Sequence, residues 1–197
     1  MAKRNSDNKS QPGRLRIVAG NWRSRLLDIA DVPGLRPTSA RIRETAFNWL
    51  APRIAGAKCL DLFAGTGALG LEALSRGAAS CDFVEKSAKA AKTLRANIST
   101  LDARSATVHE IGAEQFIQRT TDRKYEIVFL DPPFAADMLA EMCRLLVASE
   151  LLADAARIYV EEDRNQPEFE LPEHWQVLKS KESGNVRYSL LEAGNNN

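Results

Sequence analysis

Two short stretches hold the residue types that can do chemistry. The first is Cys59-Leu60-Asp61-Leu62-Phe63-Ala64-Gly65-Thr66-Gly67-Ala68-Leu69-Gly70, an apolar run that ends in an acid, breaks into glycines and restarts at helical spacing. Glycines suit a backbone that must turn sharply and let a ligand approach where a Cβ would clash. The helix start beyond them offers unpaired N–H groups and a partial positive charge. The second stretch, Asp131-Pro132-Pro133-Phe134, follows the apolar run Tyr125–Leu130. Its prolines stiffen the turn and remove backbone donors, which leaves the carbonyls of Asp131 and Pro132 free to accept hydrogen bonds.

The elements that position these residues follow from periodicity. Cys59–Asp61 reads as a buried parallel strand, and the helix after the glycines runs to Arg76, where Gly77 ends it. Ser80–Val84 is a second strand with Glu85 at its carboxyl end. Ser87 caps a helix whose buried stripe is Ala91, Leu94, Ile98 and Leu101. A third strand near Ala106–Ile111, a short helix after Gly112, a central fourth strand over Tyr125–Leu130, a helix with Met138, Met142, Leu145 and Leu146 inward, and a fifth strand at Ile158–Val160 complete an α/β, doubly wound order. Trp175–Leu178 and Val186–Leu191 flank Ser183-Gly184-Asn185 as a closing hairpin.

Ligands of such sheets lie outside the carboxyl ends of the strands, so Glu85 belongs in one crevice with Gly65 and Gly67. Gly65 to Gly70 satisfies G-x-G-x-x-G, and Glu85 stands at the distance expected of a ribose-binding acid. Taken alone, this pattern permits a nicotinamide cofactor.

The net charge of +1 hides an uneven distribution. Residues 1–53 hold eleven basic and four acidic side chains, a local excess of +7 that leaves −6 for the remainder. Such asymmetry points to a polyanionic partner for the N-terminal part. Residues 1–13 form a polar, basic tail expected to be disordered. Arg14–Val18 alternates as a strand, Gly20-Asn21 turns, and Trp22–Ile29 returns as a second strand. Arg14, Arg16, Arg23 and Arg25 then form a basic face of a hairpin fitted to RNA, with Arg36 beyond it. Thr38 or Ser39 caps the next helix, whose stripe is Ile42, Ala46, Trp49 and Leu50. The expected organisation is a hairpin and helix over 14–52, a catalytic domain over 53–192 and a short disordered tail over 193–197.

The first residues lack an apolar signal segment and no run reaches the length of a membrane span, so a cytoplasmic protein without a membrane partner is expected. Cys59, Cys81 and Cys143 fall in strands or a helix and read as buried free thiols. Neither they nor His109 and His174 show metal-ligand spacing, so no metal is expected. His109 reads as a strand residue.

Asp61-x-Phe63-x-Gly65-x-Gly67 resembles motif I of S-adenosylmethionine-dependent methyltransferases, and Asp131-Pro132-Pro133-Phe134 resembles motif IV of those that methylate an exocyclic amino group. Leu15–Gly20, Arg36-Pro37-Thr38 with Arg41, Arg43 and Glu44, the loop Phe63–Gly70, the turn Asp131–Phe134 and Val186-Arg187-Tyr188 together resemble the bacterial RsmD family, over about Arg14 to Leu191. That resemblance implies a Rossmann-like class I fold: a seven-stranded, mostly parallel sheet with helices on both faces, plus the N-terminal hairpin and helix. It implies methylation of guanine N2 in 16S ribosomal RNA on an assembled or assembling 30S particle, by a monomer using S-adenosylmethionine. By the same resemblance the cofactor is held by Thr38, Arg41, Asp61, Phe63, Ala64, Gly65, Thr66, Gly67, Glu85, Lys86, Ala113 and Glu114, with Thr38 and Arg41 near its carboxylate and Gly112–Glu114 edging the adenine. Asp131, Pro132, Pro133 and Phe134 are the implied catalytic residues. An aromatic amine is a poor nucleophile, so acceptors that bind its hydrogens and localise its lone pair are what the reaction needs. Phe134 offers a face for stacking, worth about 1–3 kcal/mol per base. An adenine-N6 or protein amino-methyltransferase shares both motifs; a nicotinamide oxidoreductase would leave the Asp-Pro-Pro-Phe turn without purpose; a non-catalytic RNA-binding module is the third rival.

Overall fold

A computed structural model describes residues 13–35, 37–133 and 136–194. Phe134, Arg36 and the tail over 1–12 therefore lie outside the described residues, as does the end of the C-terminal tail. In chain order the elements are β1 (Arg14–Arg16), β2 (Leu26–Asp28), α1 (Ala40–Ile54), β3 (Lys58–Asp61), α2 (Ala68–Ser75), β4 (Ser80–Val84), α3 (Ala88–Leu101), β5 (Ala106–His109), α4 (Ala113–Arg119), β6 (Tyr125–Leu130), α5 (Ala136–Ala148), β7 (Leu152–Asp163), β8 (Gln176–Ser183) and β9 (Val186–Glu192).

Seven strands form one sheet in the order β5-β4-β3-β6-β7-β9-β8. β3 to β7 run parallel, while β9 is antiparallel to both of its neighbours. Both faces are covered, which is why the central strands are so largely apolar. Cys59, Ile127 and Phe129 face a core shared with α1, α2 and α3, whereas Leu60, Val128 and Leu130 face one shared with α4 and α5. The direction of winding reverses between β3 and β6, so their carboxyl ends open the crevice in which such sheets bind ligands. The expected fold is present.

Of the differences from the sequence reading, three bear on the site and the hairpin. The third strand stops at His109, short of Ile111. The fifth begins at Leu152 and continues to Asp163, past a positive φ of 52° at Ala155 and a register shift against β6. That extension carries Glu161 into the sheet.

The third difference concerns the hairpin. Trp22–Arg25 do not form a strand; they turn, with Arg23 N donating to Gly20 O (3.1 Å), Arg25 N donating to Trp22 O (3.0 Å) and Ser24 at φ 68°. Ser75 enforces this turn: its carbonyl accepts from Asn21 N (2.7 Å) and its hydroxyl from Trp22 N (3.0 Å). Gly20 lies so close that a Cβ there would stand 1.8 Å from Ser75 O. Arg23 and Arg25 are exposed but do not share a strand face.

The hairpin is fused to the rest of the chain. Leu15, Ile17 and Leu27 join the core beneath α1, α2 and α3, and Asn97 of α3 exchanges two hydrogen bonds with the Asp28 backbone. α1 continues to Ile54, across the 52/53 boundary expected between the two parts. Ser39 is its N-cap, with the side-chain hydroxyl accepting from Ile42 N at 3.3 Å.

Candidate active site

The carboxyl ends of β3, β4, β6 and β7 bring four acids together. Asp61 ends β3, and its Oδ2 accepts from Gly70 N in the first turn of α2 at 3.1 Å. It is only 2 % exposed, and burial pushes its carboxyl up to about 7, with the Glu85 charge adding and the Gly70 and Phe63 amides opposing. Asp61 thus ties the strand end to the helix start. Gly67 must occupy a left-handed conformation (φ 80°), and a Cβ on it would meet Leu94 Cδ1 at 2.5 Å.

Glu85, at the end of β4, closes this turn from the other side. Its Oε2 accepts from Gly65 N (2.8 Å) and its Oε1 from Ser87 N (2.7 Å), which fixes the carboxylate beside the glycine loop. Each oxygen keeps a second lone pair for a further donor. Ala64, Gly65, Thr66 and Gly67 are buried in the loop, Phe63 is half-buried, and Lys86 projects outward.

β6 delivers Asp131 beside β3, with Pro132 buried and Pro133 exposed. Thr38, also buried, donates its hydroxyl to Asp131 Oδ2 at 3.3 Å. On β7, Glu161 is 4 % exposed and accepts from the Tyr159 hydroxyl at 2.8 Å. Burial first, then the charges of Glu161 and Asp61, push the Asp131 carboxyl well above the usual carboxylate range, while the Thr38 hydrogen bond opposes. Burial likewise raises Glu161. Among the described residues no lysine or arginine forms an ion pair with Asp61, Glu85, Asp131 or Glu161. Nor do any described acids, cysteines and histidines form a set able to hold a metal ion. A crevice lined in this way favours a cationic, hydroxyl-bearing ligand and a group rich in N–H donors.

The remaining sequence candidates are more dispersed. Ala113 is half-buried at the start of α4, and Glu114 is an exposed acid in that helix's first turn. Arg41 is exposed on α1. Arg14 pairs with Asp28 at 3.6 Å, Arg16 reaches Ser24 O at 3.4 Å, and Arg25 reaches Thr100 O at 3.1 Å. Arg23 is exposed in the turn. His109 lies in β5 with its Nε2 2.7 Å from Asp82 Oδ1, a strand residue as expected.

Arg43 and Glu72 do a different job from anything their sequence context suggested. Their side chains are 1 % and 0 % exposed and pair at 3.1 Å. Glu72 also accepts from Val18 N (2.8 Å), Ala19 N (2.9 Å) and Arg76 Nε (2.8 Å). Arg43 donates to Arg16 O (2.8 Å) and to Thr38 O (3.2 Å). This clamp fastens the hairpin to α1 and α2 and sets the backbone of Thr38, whose side chain meets Asp131. An acid inside the otherwise apolar run Leu69–Leu74 was the available signal for it. Glu161 also escaped the sequence reading, and its alternation with the buried Tyr159 was the signal.

Comparison with known proteins adds to this geometry. Residues 15–192 match the family described as Conserved hypothetical protein 95. The Escherichia coli (strain K12) protein named Ribosomal RNA small subunit methyltransferase D is 46% identical over 186 residues, spanning 94% of this chain and 93% of that one. Its namesake in Haemophilus influenzae is 40% identical over 183 residues, 91% of this chain and 94% of that one. Among solved structures, the putative methyltransferase yhhF from Escherichia coli superposes with a TM-score of 0.85 at 41% identity, over 93% of this chain and 99% of its own.

Proposed function

The chain belongs to the ribosomal RNA small subunit methyltransferase D (RsmD) family, and from that premise we propose that it transfers a methyl group from S-adenosylmethionine to the exocyclic N2 amino group of a guanine in 16S ribosomal RNA. The observation that carries this reading is the position of Asp131. It stands at the tip of β6 beside the glycine loop, half-buried among other acids and held by Thr38.

The residues present fit the cofactor. The turn at Gly65–Gly67 lets the backbone approach closely, Glu85 keeps lone pairs for ribose hydroxyls, and the acids, which pair with no cation among the described residues, favour a positively charged guest. Ala113 and Glu114 would edge its adenine, and Thr38 and Arg41 its carboxylate. When bound, S-adenosylmethionine supplies a methyl group on a sulfonium that departs with its bonding electrons.

The chain's own residues do the rest. The Asp131 carboxylate and the Pro132 carbonyl accept the two amino hydrogens, drawing the nitrogen lone pair out of conjugation and toward the methyl group. As the N–C bond forms the nitrogen becomes positive, and the proton it sheds passes first to Asp131. A carboxyl whose proton affinity is raised by burial suits that task better than an exposed one. The exposed arginines of the hairpin, Arg14, Arg16, Arg23 and Arg25, hold the RNA backbone, and the target base is flipped from its stack into the crevice. We assign the substrate as an assembled or assembling 30S particle, the active form as a monomer and the site of action as the bacterial cytoplasm. No described helix is long and apolar enough to cross a membrane.

Tritiated S-adenosylmethionine offered with 30S particles, free 16S RNA, DNA and protein tests this reading. Label in RNA that digests to N2-methylguanosine is the expected outcome. N6-methyladenosine or labelled protein would instead identify the enzyme as another amino-methyltransferase, and no label in any substrate would remove the enzymatic reading.

A further inference from the structure

The role of Glu161 is unclaimed by the chemistry above, yet the sheet places it next to the reacting corner. Parallel pairing of β6 with β7 aligns Phe129 with Tyr159 and Leu130 with Val160, so the next step along both strands sets Asp131 beside Glu161. The Thr38 hydroxyl that donates to Asp131 Oδ2 at 3.3 Å also lies against the Glu161 carboxyl. Tyr159 already donates to Glu161 Oε1 at 2.8 Å.

We infer that Glu161 is a positioning residue for the amino-group acceptor, acting on Asp131 through the Thr38 hydroxyl. The inference rests on hydrogen-bond capacity and on the reading of Asp131 as that acceptor. Thr38 has one hydroxyl hydrogen, which cannot serve two carboxylates. It serves both acids only when one of them carries a proton: a protonated Glu161 donates to Thr38 Oγ1, and Thr38 donates to an ionised Asp131. An amino group with two N–H donors favours the ionised form of Asp131, which leaves the shared proton on Glu161. The chain Glu161–Thr38–Asp131 then fixes one Asp131 oxygen and aims the other at the substrate. The groups facing Asp131 are Asp61 from β3, Glu161 and Tyr159 from β7, and Thr38 from the segment before α1. Glu161 is faced by Asp131, Thr38, Tyr159 and, across the β7–β9 ladder, Tyr188. Burial raises both carboxyls, and the Glu161 charge raises Asp131 further, so two negative charges side by side are disfavoured here.

Glu161→Gln imitates the protonated acid: its amide donates to Thr38, and it cannot ionise. Its kcat at pH 7 should stay within about threefold of the unmodified protein, while the alkaline fall of the kcat/KM profile, where the unmodified pair loses its one remaining proton, should disappear. Glu161→Leu cannot donate and should lose about tenfold in kcat with calorimetric affinity for S-adenosylmethionine unchanged; Thr38→Val should show the same loss in kcat, and the double variant should lose no more kcat than Thr38→Val alone. The Asp131 side-chain resonance in carbon NMR, followed against pH without cofactor, should titrate lower in Glu161→Gln. A profile and titration that superimpose on those of the unmodified protein, or full kcat in Glu161→Leu, would overturn the inference. Should the unmodified protein label no RNA at all, the proposed function fails instead.

Discussion

Charge is buried in two regions of this molecule, and they are built on opposite plans. Under the hairpin, Glu72 is saturated by Arg43, Arg76 and the amides of Val18 and Ala19, while Arg43 directs its remaining donors to the carbonyls of Arg16 and Thr38. At the strand tips, Asp61, Asp131 and Glu161 are pushed up by burial, Asp61 and Asp131 also by neighbouring negative charge, and the described residues give them hydroxyls and amides in place of a cation. The first plan offsets its desolvation cost with complete pairing and so holds parts together. The second leaves like charges near one another, an arrangement found where a ligand or a transition state is to complete it. One region is built for stability and the other for chemistry, and they meet at Thr38.

The comparison breaks most visibly through the clamp. Glu72→Ala leaves Arg43 buried without its partner and strands two backbone amides, and should cost about 3–5 kcal/mol in urea unfolding; a loss under about 1 kcal/mol would show the pairing to be incidental. The tips should answer with the opposite sign. Asp61→Asn keeps an acceptor for Gly70 N but cannot ionise. A carboxyl raised in the folded state, here from 3.8 to about 7, stabilises most below its unfolded value and loses that contribution as pH rises through 7. The melting temperature of Asp61→Asn relative to the unmodified protein, both free of cofactor, should therefore climb by roughly 5–10 °C between pH 4 and pH 8. A flat difference would mean that Asp61 is not held in an unfavourable charged state.

A smaller effect separates surface from core. Replacing Arg14, Arg16, Arg23 and Arg25 together by Ala should leave unfolding within about 1 kcal/mol, since their ion pairs and hydrogen bonds are exposed. The same variant should weaken RNA binding and lower its salt slope by about one for each phosphate that is no longer neutralised. An unaltered slope would move the RNA-binding face elsewhere on the surface.

The chemistry-bearing turns were legible in the sequence because glycine and proline report backbone demands directly. Gly65, Gly67 and Asp131-Pro132-Pro133 mark the strand tips without any tertiary information, whereas the ladder β4-β3-β6 that sets those tips side by side is seen only in the fold. The hairpin was only half legible. Arginines at 23 and 25 alternate as a strand would, but the turn there is set by Ser75, a residue about fifty positions away, through its hydroxyl and carbonyl. Glu161 was hidden for a similar reason. Its alternation with Tyr159 is a weak signal within the acidic run Glu161-Glu162-Asp163, and the pairing of β7 with β6 and β9 is what encloses it. Arg43 looked like one more cation in a basic region until α2 supplied Glu72.

The central claim is that the acid-and-proline corner at the tip of β6 holds the amino group that is methylated. Small ribosomal subunits lacking the modification, incubated with labelled S-adenosylmethionine and either the unmodified protein or Asp131→Ala, give the most direct measurement once the RNA is digested to nucleosides. N2-methylguanosine should form with the unmodified protein and fall by about 10³-fold or more in the variant, whose calorimetric affinity for the cofactor persists. Equal label from both proteins would contradict the claim.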